Sequence, residues 1–195
     1  MSLILLGKQP SLRKAPNGTV TSEDHYSLVL DIDKCIRCHK CEIDCKLENL
    51  VPEGVRLLRM VGIGPEELDG ELRTFNVRAS CSQCHLPACV STCPTGALRK
   101  SPEGVVIQDE ALCVGCRICE LVCPNLGTLS YDRGAKKMLK CDFCMEKLDD
   151  GLLPACVEGC PMGALVIKKG KDPLSLTGEK ETIEAVLAIS IAGNK

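Results

Sequence analysis

Sixteen cysteines divide this 195-residue chain into four groups of four, with none left over. The first group, in CIRCHKCEIDC, is Cys35, Cys38, Cys41 and Cys45; the second, in CSQCHLPACVSTCP, is Cys81, Cys84, Cys89 and Cys93. The third, CVGCRICELVCP, holds Cys113, Cys116, Cys119 and Cys123. The fourth, Cys141, Cys144, Cys156 and Cys160, spreads over CDFCMEKLDDGLLPACVEGCP. Thiols this crowded serve as disulfides, zinc ligands or iron–sulfur ligands. Structural disulfides need an oxidising compartment. The only apolar run near the N-terminus is Leu3 to Leu6, with no cationic lead and no twin-arginine pair, so an export signal is not expected. Structural zinc sites use two C-x2-C pairs separated by a loop, each set closing one tetrahedron. Three thiols within seven residues, repeated along a chain, do not need that geometry.

Run three fits C-x2-C-x2-C-x3-C-P without deviation. Three thiolates from a tight loop reach three corners of one cubane, while the fourth lies a helical turn further on and points away. In two-cluster ferredoxins that fourth thiolate ligates the other cluster. The proline after it suits a break in the backbone, because its ring clashes with continued helix. The second run has one longer gap (HLPA), and the fourth has eleven residues between Cys144 and Cys156. Both keep C-x3-C-P, whereas the first has Lys46 where the proline would sit. The repeat predicts four [4Fe–4S] clusters on all sixteen cysteines. Exchange of the fourth ligand makes the runs work in pairs, and spacing alone leaves the pairing open.

Short elements must position these loops. Residues 26–33, 72–78, 105–109 and 165–168 alternate or run apolar with β-branched residues, which predicts strands. Short helices are expected around 42–49, 117–122 and 145–150. Strand, ligand loop, short helix and strand make the unit of a bacterial ferredoxin, met here twice, so the expected class is α+β. The stretch 52–70, richer in Gly and Pro, reads as an insertion or surface arm. Residues 179–192 suggest a helix docked on a partner or on the body.

The stretch from about Ser27 to Lys169 resembles the four-cluster iron–sulfur subunits of the dimethyl sulfoxide reductase type, which serve molybdenum and tungsten enzymes and hydrogenase-linked complexes. The resemblance is carried by the ordered four runs, by CPTGAL after the second, by CVGCRICELVCP, and above all by KCDFCMEKLDDGLLPACVEGCPMGAL. It implies that the first and fourth runs pair and enclose the second and third. One cluster would then sit on Cys35, Cys38, Cys41 and Cys160, and another on Cys141, Cys144, Cys156 and Cys45. The inner two would use Cys81, Cys84, Cys89 with Cys123, and Cys113, Cys116, Cys119 with Cys93. The implied fold is two interlocked ferredoxin-like modules: an outer one from 27–50 and 137–170, an inner one from 72–132, and 51–71 inserted. An N-terminal arm (1–26) and a C-terminal docking tail (171–195) flank this 27–170 domain.

Composition excludes several functions. A net charge of -2, with Lys and Arg scattered, gives no nucleic-acid footprint. The longest apolar stretch, 185–192, is well short of the roughly 20 residues that span a bilayer. No nucleotide-binding glycine fingerprint, P-loop or acid–base pair stands out, and no C-x3-C-x2-C triplet suits radical chemistry. His39 and His85 lie inside complete cysteine runs and are expected to stay neutral or at the surface. Lys34, Arg37, Lys40, Arg117, Lys140 and Lys147 flank the ligand loops and are expected mostly in solvent. The chain therefore reads as a non-catalytic electron-transfer subunit of an oxidoreductase, with four clusters in a body whose radius of gyration is about 16 Å. Its expected partner is a large molybdenum- or tungsten-cofactor subunit (formate, aldehyde or related), with a further electron-acceptor subunit or ferredoxin at the other end. A carbon monoxide dehydrogenase or hydrogenase partner, a free polyferredoxin shuttle and a zinc-organised binding module are the alternatives. The expected location is cytoplasmic, with co-export alongside a signal-bearing partner as the other route.

Overall fold

Four two-stranded antiparallel sheets and five short helices hold the ligand loops in a computed structural model of the chain, which describes residues 25–68, 70–125 and 128–170. Strand β1 (His25–Leu30) pairs with the last strand, β8 (Leu165–Gly170), setting Leu30 opposite Leu165 and Leu28 opposite Ile167. A long hairpin joins β2 (Leu58–Leu68) to β3 (Glu71–Ser80), with a bulge between Ile63 and Glu66. Two smaller pairs follow: β4 (Leu98–Lys100) with β5 (Val106–Gln108), and β6 (Leu129–Asp132) with β7 (Lys137–Lys140). The helices are α1 (Lys40–Glu48), α2 (Ala88–Ser91), α3 (Ile118–Leu121), α4 (Met145–Asp149) and α5 (Ala155–Glu158). All but α1 are about one turn long. Helices that short do not persist alone and draw their stability from packing.

Among the described residues there are two apolar cores, and cysteines line both. One gathers Leu28, Cys41, Cys45, Leu58, Phe143, Cys156 and Leu165, from the two ends of the described residues. The other gathers Leu98, Val106, Cys119, Leu129 and Met138, from their middle. The period-2 alternation of a strand joins them: Val105 and Ile107 face the first core, and Val106 between them faces the second.

The strand at 26–33 stops at Leu30 because the Asp31 carboxylate accepts the Asp33 and Lys34 N–H groups, forming a turn. The insertion or surface arm expected at 52–70 is corrected for its first part only, since residues 64–67 and 70, towards the tip of the β2–β3 hairpin, are exposed. Its second half is strand β2, and Val51, Val55, Leu57, Leu58 and Met60 are buried. Pairing with β3 and contact with the first core outweigh the Gly and Pro content that pointed to a loop. The N-terminal arm, apart from His25 and Tyr26 in β1, and the docking tail lie outside the described residues.

Candidate iron–sulfur centre

Among the described residues, three pockets are each lined by four cysteines. Cys35, Cys38, Cys41 and Cys160 line one, with Leu30, Met60 and Leu165 in the wall. Cys93, Cys113, Cys116 and Cys119 line another. Cys45, Cys141, Cys144 and Cys156 line a third, beside Leu28, Leu58 and Phe143. The other four thiols are close enough to act on one another electrostatically: Cys81 and Cys123 both raise Cys84 and Cys89. Each of the three pockets takes three thiols from one run and one from another.

The loops reach this arrangement through backbone that most residues avoid. The residue before the second cysteine of every run has positive φ: Arg37 at 52°, Gln83 at 52°, Gly115 at 67° and Phe143 at 62°. His39 and Arg117, just after the second cysteine, do the same at 61° and 64°. A non-glycine residue there costs roughly 1–2 kcal/mol, and such strain concentrates at functional sites. Glycine occupies the one position of the four with no room for a side chain. A Cβ on Gly115 would meet the Lys136 carbonyl oxygen at 2.0 Å. The same β6–β7 hairpin stacks Tyr131 under the Arg117 guanidinium, 5.1 Å from the ring centroid.

Two fourth cysteines share a second device. Cys93 is followed by PTGAL and Cys160 by PMGAL. Burial pushes both thiols up, but backbone N–H groups outweigh it and hold both below their usual value. For Cys93 the donors come from Leu98, Thr95 and Ala97, with the Thr95 hydroxyl added; for Cys160 they come from Leu165, Ala164, Met162 and Gly163. Gly96 and Gly163, at φ 68° and 57°, turn the backbone so that its N–H groups converge on sulfur, a nest for an anion. The proline costs nothing there, since the donors lie further on.

Elsewhere burial dominates. It pushes Cys45 and Cys156 up to about 12, with neighbouring thiols adding to the effect, and Cys41 and Cys119 up to about 11. A bare thiolate is thus costly in these pockets, and a cationic iron centre offsets that cost; binding would release protons. The donor chemistry fits a cluster. Four sulfurs surround a cavity in three of the groups, and among the described residues no three His, Cys, Asp or Glu side chains converge on a single ion, as a zinc tetrahedron demands.

Polar side chains, all but Gln83 from outside the runs, donate to carbonyls of the cysteines, and sequence reasoning missed them. Asn76 donates to the Cys35 carbonyl (2.6 Å), Lys100 to that of Cys84 (2.9 Å) and Asn49 to that of Cys45 (2.8 Å). Gln83, wholly buried, donates to the Cys141 carbonyl (2.7 Å) and accepts from the Val106 N–H (2.8 Å), tying two ligand loops together. The alternation Asn76, Arg78, Ser80 along β3 was the available signal for some of these residues. Among the flanking cations, Lys140 is the correction. It is buried rather than solvated, because its ammonium donates to the carbonyls of Val106 and Cys141. Lys34, Lys40, Arg117 and Lys147 pair with Asp31, Asp44, Glu120 and Glu158. His39 is half exposed and its ring bonds Glu42 at 2.7 Å.

Residues 73–169 match the 4Fe-4S dicluster domain, and residues 32–50 match a 4Fe-4S binding domain. The sequence is 36% identical over 147 residues to the B subunit of the anaerobic dimethyl sulfoxide reductase of Escherichia coli, covering 72% of this chain and 71% of that subunit. It is 39% identical over 152 residues to the B subunit of the polysulfide reductase of Wolinella succinogenes, covering 77% and 79%. The thiosulfate reductase electron transfer subunit of Salmonella typhi is 38% identical over 145 residues, covering 73% and 74%. Among the described residues, no helix is long and apolar enough to cross a membrane.

Proposed function

This protein belongs to the iron–sulfur electron-transfer subunits of the dimethyl sulfoxide reductase type, and on that premise we propose that it relays single electrons through four [4Fe–4S] clusters to or from a molybdenum- or tungsten-cofactor partner. The observation that carries the reading is the grouping of thiols, three from one run with one from another. In it, one cluster is held by Cys35, Cys38, Cys41 and Cys160, and a second by Cys45, Cys141, Cys144 and Cys156. Cys93, Cys113, Cys116 and Cys119 hold a third; Cys81, Cys84, Cys89 and Cys123 hold the fourth. The first two belong to an outer module, interlocked with an inner one that carries the others.

A bound cubane supplies a one-electron couple whose potential follows burial, charge and hydrogen bonding. The protein's own residues do the rest. The apolar walls exclude water, the positive-φ loops fix the thiols, and the CPTGAL and CPMGAL nests make Cys93 and Cys160 easier to ionise. The names of the relatives draw the partner's substrate toward small sulfur compounds rather than the formate or aldehyde suggested by sequence. A cytoplasmic location remains part of the proposal, because sixteen thiols stay reduced there before the clusters are inserted.

Anaerobic purification with partners retained, followed by iron, sulfide, molybdenum and tungsten analysis, tests this. About sixteen iron per chain, with molybdenum or tungsten and a large co-purifying subunit, is the expected result. Sixteen iron with no partner would favour a free polyferredoxin, and zinc without iron would sink the reading. For the pairing, Cys160→Ala and Cys38→Ala must abolish the same paramagnetic signal, and Cys156→Ala a different one.

A further inference from the structure

We propose that Arg78 and Lys140 form a cationic junction that stabilises the reduced state of the two clusters it separates, those on the Cys45–Cys141–Cys144–Cys156 and Cys81–Cys84–Cys89–Cys123 groups. The inference rests on the four-cluster reading above. Arg78, partly buried on β3, donates to the Leu28 carbonyl at 2.9 Å and to the Ser80 hydroxyl. Leu28 and Ser80 both line the Cys45 enclosure. Ser80 also immediately precedes Cys81, the first thiol of the other group. Hydrogen bonding thus holds the guanidinium where the two groups meet. Lys140 stands at the same boundary, buried at 7% exposure, with its ammonium on the carbonyls of Val106 and Cys141.

Electrostatics agrees with this placement. Burial is the largest effect on Arg78 and lowers it, and it is opposed by Cys141 and Cys156 on one side and Cys81 on the other. Lys140 acts on Cys141 and Cys89, again one thiol from each group. Like Arg37, Lys46 and Lys100, and unlike four other cations near the loops, this pair has no competing carboxylate among the described residues. Lys34, Lys40, Arg117 and Lys147 are each bonded to a carboxylate. Among the described residues, neither Arg78 nor Lys140 forms an ion pair with one. Their charge is left to act on the sulfurs.

One-electron reduction makes an already anionic cluster more negative, so a fixed cation beside it favours the reduced form. An opposite charge within about 4–6 Å moves a protonation equilibrium by roughly 1–3 pKa units. The same work on a one-electron couple changes the ratio of reduced to oxidised cluster by about tenfold or more, and tenfold is 59 mV. The crossing between the two cores thereby becomes a place where an electron is held.

The test is a potentiometric titration followed by electron paramagnetic resonance on the anaerobically purified complex. With Arg78→Gln, two of the four midpoint potentials should fall by about 59 mV or more while two stay in place. Arg78→Lys, which keeps the charge, should restore most of the shift. Four unchanged potentials at full iron content, or four equal shifts, would overturn the proposal. If Arg78→Gln loses iron, Lys140→Met carries the same expectation at the same two clusters, and no shift there overturns it. Loss of iron from both neutral variants supports the junction only if Arg78→Lys and Lys140→Arg keep iron and potentials; loss from those as well overturns it in favour of a structural role. A wild-type complex with fewer than sixteen iron per chain would instead refute the four-cluster reading itself.

Discussion

Gly115→Ala separates two costs that usually arrive together. Gly115 sits between Cys113 and Cys116 at φ 67°, where any L side chain is strained, and that strain alone costs roughly 1–2 kcal/mol. The added methyl would also meet the Lys136 carbonyl oxygen at 2.0 Å and carbon at 3.0 Å, with the Tyr131 ring at 3.3 Å. Backbone in a hairpin cannot swing aside as the end of a long side chain can, and overpacking of this kind adds about 1–3 kcal/mol. The sum, about 2–5 kcal/mol, is a large share of the roughly 5–15 kcal/mol that holds a domain folded. Gly54→Ala is the matched control, since Gly54 has φ 77° but nothing within 4 Å of its would-be Cβ. It should cost only the conformational part. Anaerobic guanidinium unfolding of the cluster-loaded protein, followed by visible absorbance, would measure both. Equal midpoints for the two variants would refute the claim that the β6–β7 hairpin fixes the third ligand loop.

Two further substitutions test how the loops are held. Gln83→Leu leaves the Val106 N–H without its acceptor, at about 1–3 kcal/mol for a buried group left unpaired, while the Cys141 carbonyl keeps the Lys140 ammonium. Hydrogen exchange at Val106 should accelerate, and unchanged protection would count against the tie. Glu42→Gln probes the link between α1 and β2, because the Glu42 carboxylate accepts from the Met60 N–H (2.7 Å), the Arg56 guanidinium (2.8 Å) and the His39 ring. Burial pushes this carboxyl up, but those donors outweigh it and hold it below its usual value of 4.5. The carboxylate's stabilisation is therefore present above pH 4.5 and lost as pH falls through the lower native value. The stability gap between wild type and Glu42→Gln should be about 1.5–3 kcal/mol at pH 7, narrowing below pH 4.5; a gap that is constant with pH would refute it.

The sequence by itself determined the ligands' chemical type and the short elements beside them. Cysteine spacing is local, so C-x2-C-x2-C-x3-C-P carries its meaning without the fold, and α1, α3, α4, β1, β3, β5 and β8 fall within a few residues of the expected segments. Tertiary structure decided what depends on distant parts of the sequence. The pairing of β1 with β8 brings Cys160 beside Cys35, Cys38 and Cys41, a closure that spacing left open. Segment 51–60 became core because β3 and the first apolar cluster were there to bury it. Lys140 and Gln83 look like surface residues in sequence, since one is a lysine beside a ligand loop and the other a polar residue within one. They are buried where both donate to the Cys141 carbonyl, and only the folded protein shows that these two side chains reach it.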